Sequence, residues 1–326
     1  MDIFQPIQKF ADLVTYNLFG ISDGSYLGST VNFFIYDVIK IGLLLVVINY
    51  FMAYVRYYFP MGKVRDILTK RRWFGLDYLF AAVLGVVTPF CSCSSIPLFI
   101  GFVGSGIPLG VTFAFLISSP LVNESSLYIF PALFGMRVTI IYNLLGISIA
   151  ILGGMLIQKL NVDRFVKKEF LGFKSKQEIE IENGGEKLPL KDLLSYFWYD
   201  GWQITKEIFP YVVLGVGVGA LIHGFVPESF VEQYLSGGGI WSVPIATLLG
   251  APLYANSVGV IPIMEALVGK GVPLGTALAF MTSIVTVSIP STLILKKVMK
   301  WQLLVLFSGI TLLGIVLMGY IFNIIL

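Results

Sequence analysis

Long apolar blocks, separated by short charged stretches, make up most of this chain. Several blocks reach the roughly 20 apolar residues that an α-helix needs to cross a bilayer. The pattern predicts spanning helices over 32–55, 108–133, 138–158, 207–225, 272–295 and 302–324. Residues 1–20 have the mixed faces of an amphipathic helix that lies at the membrane interface. Two more apolar blocks, 78–104 and 241–268, are interrupted near their middle by polar residues and prolines.

Basic residues mark three loops as cytoplasmic by the positive-inside rule. The loops are 57–77 (with Lys63, Arg65, Lys70, Arg71 and Arg72), 159–206, and the stretch with Lys296, Lys297 and Lys300. The chain must cross an even number of times between the first two loops, yet three apolar blocks lie there. We therefore expect block 78–104 to be a re-entrant helical hairpin that turns at Cys91–Ser95. Its non-helical tip is tolerated at depth inside protein or beside a water-filled cavity.

The second half shows the same order of segments with opposite sidedness. Residues 226–240 contain Glu228 and Glu232 without Lys or Arg, so block 241–268 is expected to enter from outside and turn at Tyr254–Gly259. The predicted fold class is an all-α polytopic membrane protein with two inverted repeats, each with spanning helices and a re-entrant hairpin. The repeats cover 1–158 and 207–326, and a charged cytoplasmic linker at 159–206 joins them. Eight ordinary spans with parallel repeats are the alternative.

Two sequence motifs support the repeat. Pro89-Phe90-Cys91-Ser92-Cys93-Ser94-Ser95-Ile96-Pro97 has an altered counterpart between Pro252 and Pro262. Each of these copies is followed at matching distance by a second shared block, Gly104–Gly110 in the first half and Gly269–Gly275 in the second, and both blocks end in Pro-Leu-Gly. Internal repeats of this kind are typical of membrane transporters.

The composition agrees with a membrane protein. Hydrophobic residues make up 56% of the chain and charged residues 13%, against about 25% charged in soluble domains. The net charge of +3 is concentrated in a few loops, which favours membrane orientation over nucleic-acid binding. The expected partners are the lipid bilayer and a small-molecule or metalloid substrate, without nucleic acid, and the sequence is compatible with a homo-oligomer. The expected location is the cytoplasmic (inner) membrane of a bacterium or archaeon.

Cys91 and Cys93, the two cysteines of the chain, stand at the predicted tip of the first hairpin. Thiolates are soft ligands for soft metals and metalloids. Together with the hydroxyls of Ser92, Ser94 and Ser95, they favour a substrate site for trivalent arsenic or a soft cation, in which both cysteines would bind the metal. The alternative is structural, with cysteine as a small apolar residue and serine as a helix-packing residue.

The second tip offers Asn256 and Ser257 as substrate-binding candidates, although turn chemistry explains these residues equally well. Asn123 is a further candidate in the span 108–133. Glu124 beside it is an ionisable residue within a span, and so a candidate for proton coupling, with a solvated place near the outer interface as the alternative. Glu265, in the returning arm of the second hairpin, is the other proton-coupling candidate, with a wet residue at the cavity mouth as its alternative.

The remaining polar residues add less. A hydroxyl-rich block is expected to line the same cavity: Thr282, Ser283, Thr286, Ser288 and Ser291. Asp37 and Lys40, spaced i,i+3, are interpreted as a structural pair, and His223 as an interfacial residue. The chain has no Walker A sequence, no dinucleotide fingerprint and no His-Glu-x-x-His pattern, so we predict neither a cofactor nor an enzyme.

The Cys-Ser-Cys-Ser motif at Cys91–Ser94, the Gly-x-Pro-Leu-Gly blocks at Gly106–Gly110 and Gly271–Gly275, and Ser118–Asn123 resemble the bacterial predicted-permease family of the YraQ and ArsP type. The resemblance covers nearly the whole chain and implies an inner-membrane permease. The best-described activity in that family is efflux of trivalent organoarsenicals, in which a cysteine of this motif is implicated. The resemblance therefore implies a substrate role for Cys91 and Cys93.

The leading hypothesis is a secondary transporter that exports a thiol-reactive solute, an organoarsenical or a soft metal, through a midplane site between two hairpin tips. A permease for a sulfur-containing anion or small thiol is the second hypothesis. A membrane thiol redox protein is a third, although Cys91 and Cys93 have poor spacing for a reversible disulfide. A channel with the two tips as its filter is a fourth.

Overall fold

The computed structural model describes residues 5–22, 25–58, 75–87, 92–104, 106–123, 125–167, 190–225, 239–253, 260, 263–264, 267–269 and 271–325. Most of these residues are in helices that short turns connect. The single β-bridge among them joins Val166 to Met299. The prediction of an all-α chain is confirmed.

The helices of the first half are α1 Gln5–Asp12, α2 Tyr26–Tyr58, α3 Leu76–Val87, α4 Ser92–Gly104, α5 Leu109–Leu121, α6 Phe130–Leu133 and α7 Gly135–Lys159. Those of the second half are α8 Leu190–Phe225, α9 Ser242–Gly250, α10 Leu274–Thr286, α11 Ile289–Val298 and α12 Trp301–Ile325. Short π-helical segments at Leu13–Leu18 and Ser125–Ile129 and a 3₁₀ turn at Asp163–Phe165 connect some of them.

Three of the described helices are long and apolar enough to cross a membrane. They are α2 over Tyr26–Phe51, α7 and α12. A fourth span results if α5 and the bent segment Ser126–Leu133 are counted together. Three predicted spans, 32–55, 138–158 and 302–324, lie within α2, α7 and α12, so the chain has the character of an integral membrane protein.

Two helices begin earlier than the sequence pattern predicted. The charged stretch 159–206 was expected to be a linker as far as residue 206, but α8 begins at Leu190 and continues for 36 residues. Its first turns bury Leu193 and Phe197 against Ala53 of α2, so this part of the stretch is a packed helix. Helix α4 begins at Ser92, within the stretch Cys91–Ser95 that was predicted to be a non-helical tip.

The two halves pack alike. In the first, Gly110 of α5 lies against Gly154 of α7, where a Cβ atom would be 2.5 Å from the Gly154 carbonyl oxygen. In the second, Gly275 of α10 meets Gly319 of α12 in the same way. The same shift in residue number relates both pairs. Since glycine at these points lets two helices approach closely, the repeat seen in the sequence is also a repeat of helix packing.

The last helices of the halves, α7 and α12, run antiparallel. The rings of Tyr142 and Phe322 are 6.4 Å apart, Ile149 packs on Gly314, and Ile310 packs on Gly153. Residue numbers therefore rise along α7 as they fall along α12.

The first long helices, α2 and α8, are also antiparallel. Phe34 lies against Gly217, Gly42 against Phe209, and the Asn49 amide donates a 2.8 Å hydrogen bond to the Thr205 hydroxyl. The Asn49–Thr205 bond is buried between the helices, where it fixes their register.

One end of the bundle, here called the basic end, gathers positive charge. The Lys167 amide donates to the Val298 carbonyl at 3.0 Å, and the Lys300 amide donates to the Phe165 carbonyl at 2.8 Å. The Lys167 ammonium group also donates to the Lys296 carbonyl at 3.0 Å. The segment after α7 and the end of α11 are thereby joined, so two of the three stretches predicted to be cytoplasmic lie together.

The amino-terminal segment folds onto the start of α2. Gln8 donates to Asp12 and Asn32, each at 2.9 Å, and Asn32 donates to the same Asp12 oxygen at 2.8 Å. Phe10 and Leu13 remain exposed on the other side. The predicted helix is thus present in α1, and its place at the membrane interface stays a prediction.

Candidate functional site

The candidate site is built around two helices that end at equivalent positions. Every residue of α5 is buried, and so is every residue of α10 except Leu274 and Val285. Their polar side chains therefore face protein rather than lipid. Such residues are costly in a membrane unless they bond to one another or serve a ligand.

The first break follows Leu121. Val122 is extended, with φ −120° and ψ 92°, and its amide still donates to the Ser118 carbonyl at 2.8 Å. The chain resumes at Ser125 and is bent by 54° relative to α5. Pro120 in the last turn has no amide hydrogen to donate, which weakens the helix at this point. The predicted continuous span 108–133 is therefore a broken helix.

The second break has the same form. Val287 has φ −122° and ψ 68°, and its amide donates to the Ser283 carbonyl at 3.0 Å. Ser288 is extended, and α11 then begins with Pro290 in its first turn. Proline is favoured there because the first helical amides have no partner within the helix. The predicted span 272–295 is likewise two helices.

Polar side chains secure the first break. The Ser126 amide donates to the Asn123 side-chain oxygen at 3.2 Å, and the Ser126 hydroxyl contacts the Asn123 carbonyl at 2.8 Å and the Asn143 side-chain oxygen at 2.9 Å. Asn123, predicted to bind substrate, therefore lies at the site and caps the segment that follows. Asn143 was not predicted. The sequence feature that could have identified Asn143 is a polar amide side chain within the apolar span 138–158.

The corresponding residues of the second break are hydroxyls. Ser288 and Ser291 are 2.9 Å apart, oxygen to oxygen, and Thr292 donates to the Ser288 carbonyl at 2.8 Å. Both serines are buried. The hydroxyl-rich block of the sequence thus provides the caps of the second break.

Tyr142 connects the two breaks. Its hydroxyl oxygen is 3.0 Å from the Leu121 carbonyl at the end of α5 and 3.0 Å from the Thr282 hydroxyl of α10. The side chain is fully enclosed, 1% exposed, with Phe130 and Phe322 around its ring. The sequence analysis did not select this residue, because a tyrosine in an apolar span has many structural roles.

Thr286, in the last turn of α10, is buried, and its hydroxyl has no hydrogen-bond partner among the described residues. A buried polar group is normally paired, so an unpaired one marks a place where a partner is missing. A substrate or a water molecule would supply that partner.

A pair of short helices approaches the first break from the basic end. Gly75, just before α3, lies near Met155 in the last turns of α7, and Gly85 packs on Ser118 near the end of α5. The helix α4 returns alongside α5, with Phe99 on Phe113 at 5.1 Å between ring centroids. With 12 and 13 residues, α3 and α4 are about 18 and 20 Å long, shorter than the roughly 30 Å hydrocarbon core.

The second half has a similar arm at the other end of α7 and α12. The Ser242 hydroxyl at the start of α9 is 3.2 Å from that of Thr276 in the first turn of α10. Gly250 at the end of α9 lies against Phe280 and Ser283, near the end of α10. α9 therefore runs beside α10 from its first turn towards its break.

Several predicted site residues lie outside the described part of the chain. They are Cys91, Glu124, Asn256, Ser257 and Glu265. Ser92, Cys93 and Ser94 form the first turn of α4, of which only the backbone is described, and Ser95 is fully buried. Because α4 and α5 are antiparallel neighbours, the first turn of α4 lies level with the last turn of α5. In the described residues, no three His, Cys, Asp or Glu side chains come together as a metal site would require.

Asp37 is a further candidate that sequence reasoning treated as structural. It lies within the α2 span and is 6% exposed. An ionisable residue buried in a span is a functional candidate by default, and this signal was present in the sequence.

Comparison with known proteins identifies the family. Residues 26–324 match the ArsP_1 family, described as predicted permeases. A UPF0718 protein of Methanocaldococcus jannaschii is 24% identical over 339 positions, which cover 86% of this chain and 93% of that protein. The UPF0718 protein YcgR of Bacillus subtilis is 31% identical over 88 residues, 27% of this chain and 29% of its own length. No solved structure matches the chain at a significant level. With nearly its whole length matched, the chain belongs to the ArsP_1 family of predicted permeases.

Proposed function

We propose that this permease is a secondary transporter with two inverted repeats, and that its substrate site lies between two re-entrant hairpins at the level of the two helix breaks. One observation carries the proposal. The ends of α5 and α10, both broken and both flanked by short helices from opposite directions, are tied together by Tyr142. Broken helices at the midplane, with unwound backbone facing a cavity, are typical of such transporters.

The inverted arrangement is supported by the antiparallel course of α7 against α12 and of α2 against α8, because each pair consists of equivalent helices. The basic end would face the cytoplasm by the positive-inside rule. In this topology the first hairpin opens to the cytoplasm and the second to the outside, across the cytoplasmic membrane.

Alternating access would follow from a difference between the halves. In the second half α11 packs on α8, whereas its counterpart, the segment 125–133, packs on α7. In an inverted repeat, exchange of the two arrangements turns a cavity open to one side into a cavity open to the other. We expect transport to involve that exchange around the fixed Tyr142 connection.

The substrate proposed is a thiol-reactive solute, above all a trivalent organoarsenical, that Cys91 and Cys93 bind as thiolates. Ser92, Ser94 and Ser95 would line the first tip, and Asn256 and Ser257 the second. Thr286 supports a polar contact at this level, since its buried hydroxyl has no partner among the described residues. Glu124, which follows Asn123 at the first break, and Glu265 are the candidates for proton coupling.

The test is uptake of methylarsenite into everted vesicles, with the intact protein, Cys91→Ser and Cys93→Ser at equal abundance. We expect concentrative uptake by the intact protein and loss in at least one variant, because oxygen is a poor replacement for sulfur at a soft metalloid. Ser148→Ala, at an exposed hydroxyl of α7, is the control and should transport normally. No uptake by the intact protein would refute the arsenical substrate.

A separate measurement tests the architecture. Single cysteines placed at Ser105 and Lys270, in a variant without Cys91 and Cys93, report the sides of the two hairpin bases. We expect an impermeant thiol reagent to label position 105 from the cytoplasm and position 270 from outside. Labelling of both from the same side would exclude the inverted repeat.

A further inference from the structure

A groove between α2 and α8 lies away from the two helix breaks. It has a volume of about 540 Å³, within the range of about 300–1,000 Å³ that small-molecule sites occupy. Its walls are mainly apolar side chains of both helices: Val38, Ile39, Leu43, Val46, Phe209 and Pro210. Gly42 also lines the groove and lets the Phe209 ring approach the α2 backbone, since a Cβ atom there would be 2.9 Å from that ring.

The groove has one charged lining residue, Lys206 of α8. Lys206 is exposed and forms no ion pair with any described side chain. Thr205, beside it, already donates to the Gly201 carbonyl and accepts from Asn49. The cation is therefore the group available to an outside partner, in a setting that is otherwise apolar.

Aromatic residues show where this groove stands in the membrane. Trp198 and Trp202 are stacked, with ring centroids 6.1 Å apart, and are 54% and 48% exposed. Tyr50 of α2 contacts Trp198. Exposed tryptophan and tyrosine of spanning helices collect at the level of the lipid head groups.

Lys206 is one turn further along α8 than Trp202, on the same face. Side chains of a helix lean towards its amino terminus, so the Lys206 ammonium group leans back towards the aromatic residues. A long basic side chain in this place extends to the interface while its methylene groups stay in the apolar region.

From this arrangement we infer that the groove binds one anionic phospholipid. The phosphate lies at Lys206 and Trp202, and an acyl chain follows the apolar wall from Val46 towards Val38. The lining runs from 38 to 46 on α2 and from 202 to 210 on α8, about 12 Å along each helix at 1.5 Å per residue. That length fits within one leaflet, about half of the 30 Å hydrocarbon core. The inference does not depend on the transported substrate.

The experiment measures lipid binding to the purified, delipidated protein by native mass spectrometry. Phosphatidylglycerol and phosphatidylethanolamine with identical acyl chains are titrated in parallel, and glycerol 3-phosphate is added as a competitor without acyl chains. We expect phosphatidylglycerol to bind about five-fold more tightly, the ratio expected for one basic residue near an anionic surface. Glycerol 3-phosphate should not compete.

Variants at two positions, Lys206 and Leu43, test different parts of the site. Lys206→Gln should remove the preference for phosphatidylglycerol, and Lys206→Arg should retain it. Leu43→Trp, which fills the groove, should weaken binding of both lipids. The matched controls are Lys159→Gln at an exposed lysine and Leu144→Trp at a side chain 60% exposed on α7. Both should bind as the intact protein does.

Other results would overturn the inference. These are equal binding of the two lipids, an unchanged preference in Lys206→Gln, or displacement of lipid by glycerol 3-phosphate, which would indicate a phosphate site. A dimer of the delipidated protein that Leu43→Trp dissociates would mean that a second copy of the chain covers the groove instead.

Discussion

Replacing Tyr142 by phenylalanine tests the connection between the two halves. The ring and its contacts with Phe130 and Phe322 are kept, and one oxygen is removed. That oxygen is 3.0 Å from both the Leu121 carbonyl and the Thr282 hydroxyl. Thr282 is also 2.6 Å from the Leu278 carbonyl, so two hydroxyl protons serve three contacts. The assignment that uses all three contacts has the Tyr142 proton shared between the Leu121 carbonyl and the Thr282 oxygen, while Thr282 donates to Leu278.

The expected loss of unfolding free energy follows from the number of hydrogen-bond contacts that Tyr142 makes. Hydrogen bonds between membrane helices contribute about 0.6 kcal/mol on average and up to about 1.7 kcal/mol. Tyr142→Phe loses two contacts and leaves the Leu121 carbonyl without this donor, so we expect the free energy of unfolding to fall by about 1–2 kcal/mol. Thr282→Val should cost less, because the Tyr142 bond to Leu121 survives.

Unfolding in detergent by a denaturant, followed by tryptophan fluorescence, measures these losses. The double variant gives the coupling between the two hydroxyls, expected at about 0.6 kcal/mol. Tyr128→Phe is the matched control, since Tyr128 is 79% exposed and should change stability by less than about 0.5 kcal/mol. Equal effects at positions 142 and 128 would refute a structural role for the buried hydroxyl.

Three further predictions concern the glycine contacts, the Thr286 hydroxyl and the Asn49 hydrogen bond. Gly110→Ala and Gly275→Ala should each destabilise the protein by about 1–3 kcal/mol through overpacking. The control Gly309→Ala, at a glycine with open space around it, should cause no loss of stability. Equal unfolding midpoints for the three variants would contradict the paired helix contacts. Thr286→Val should leave stability unchanged or higher and reduce transport, and Thr286→Ser should restore transport, as measured by initial rates in vesicles. Asn49→Ala should lower the unfolding free energy by about 1 kcal/mol, and a thermal midpoint equal to that of the intact protein would show that its bond to Thr205 contributes nothing.

The sequence predicted the continuous helices best. The spans 138–158 and 302–324 fall within α7 and α12, because uninterrupted apolar residues of bilayer length have few alternatives to a helix. The start of α8 was placed too late, at 207, because the charged residues of 190–206 resemble a solvated linker when only composition is considered. Leu193 and Phe197, apolar residues spaced i,i+4, were the missed helical signal.

The helix breaks could not be read from hydrophobicity. Both 108–133 and 272–295 are mainly apolar, with polar residues near the breaks, and α5 and α10 end just before Val122 and Val287. Pro120 and Pro290 were the local signals available. The link made by Tyr142 joins residues far apart in the chain, so no local pattern reports it. Asn123 lies at the first break, where its capping bonds could be seen only in the structure, and its role in substrate binding stays a prediction.

The contact between Ile149 and Gly314 has a consequence for how such a chain arises. The two positions are equivalent, since the shift that relates Gly110 to Gly275 also relates them, and yet they touch each other. In a homodimer of identical half-length subunits, each would meet its own copy there. Two isoleucines would collide, and two glycines would leave a gap. Fusion of duplicated genes permits different residues at the two equivalent positions, so the isoleucine of one helix can fill the space beside the glycine of the other. A homodimer has the same residue at both positions and cannot form this contact.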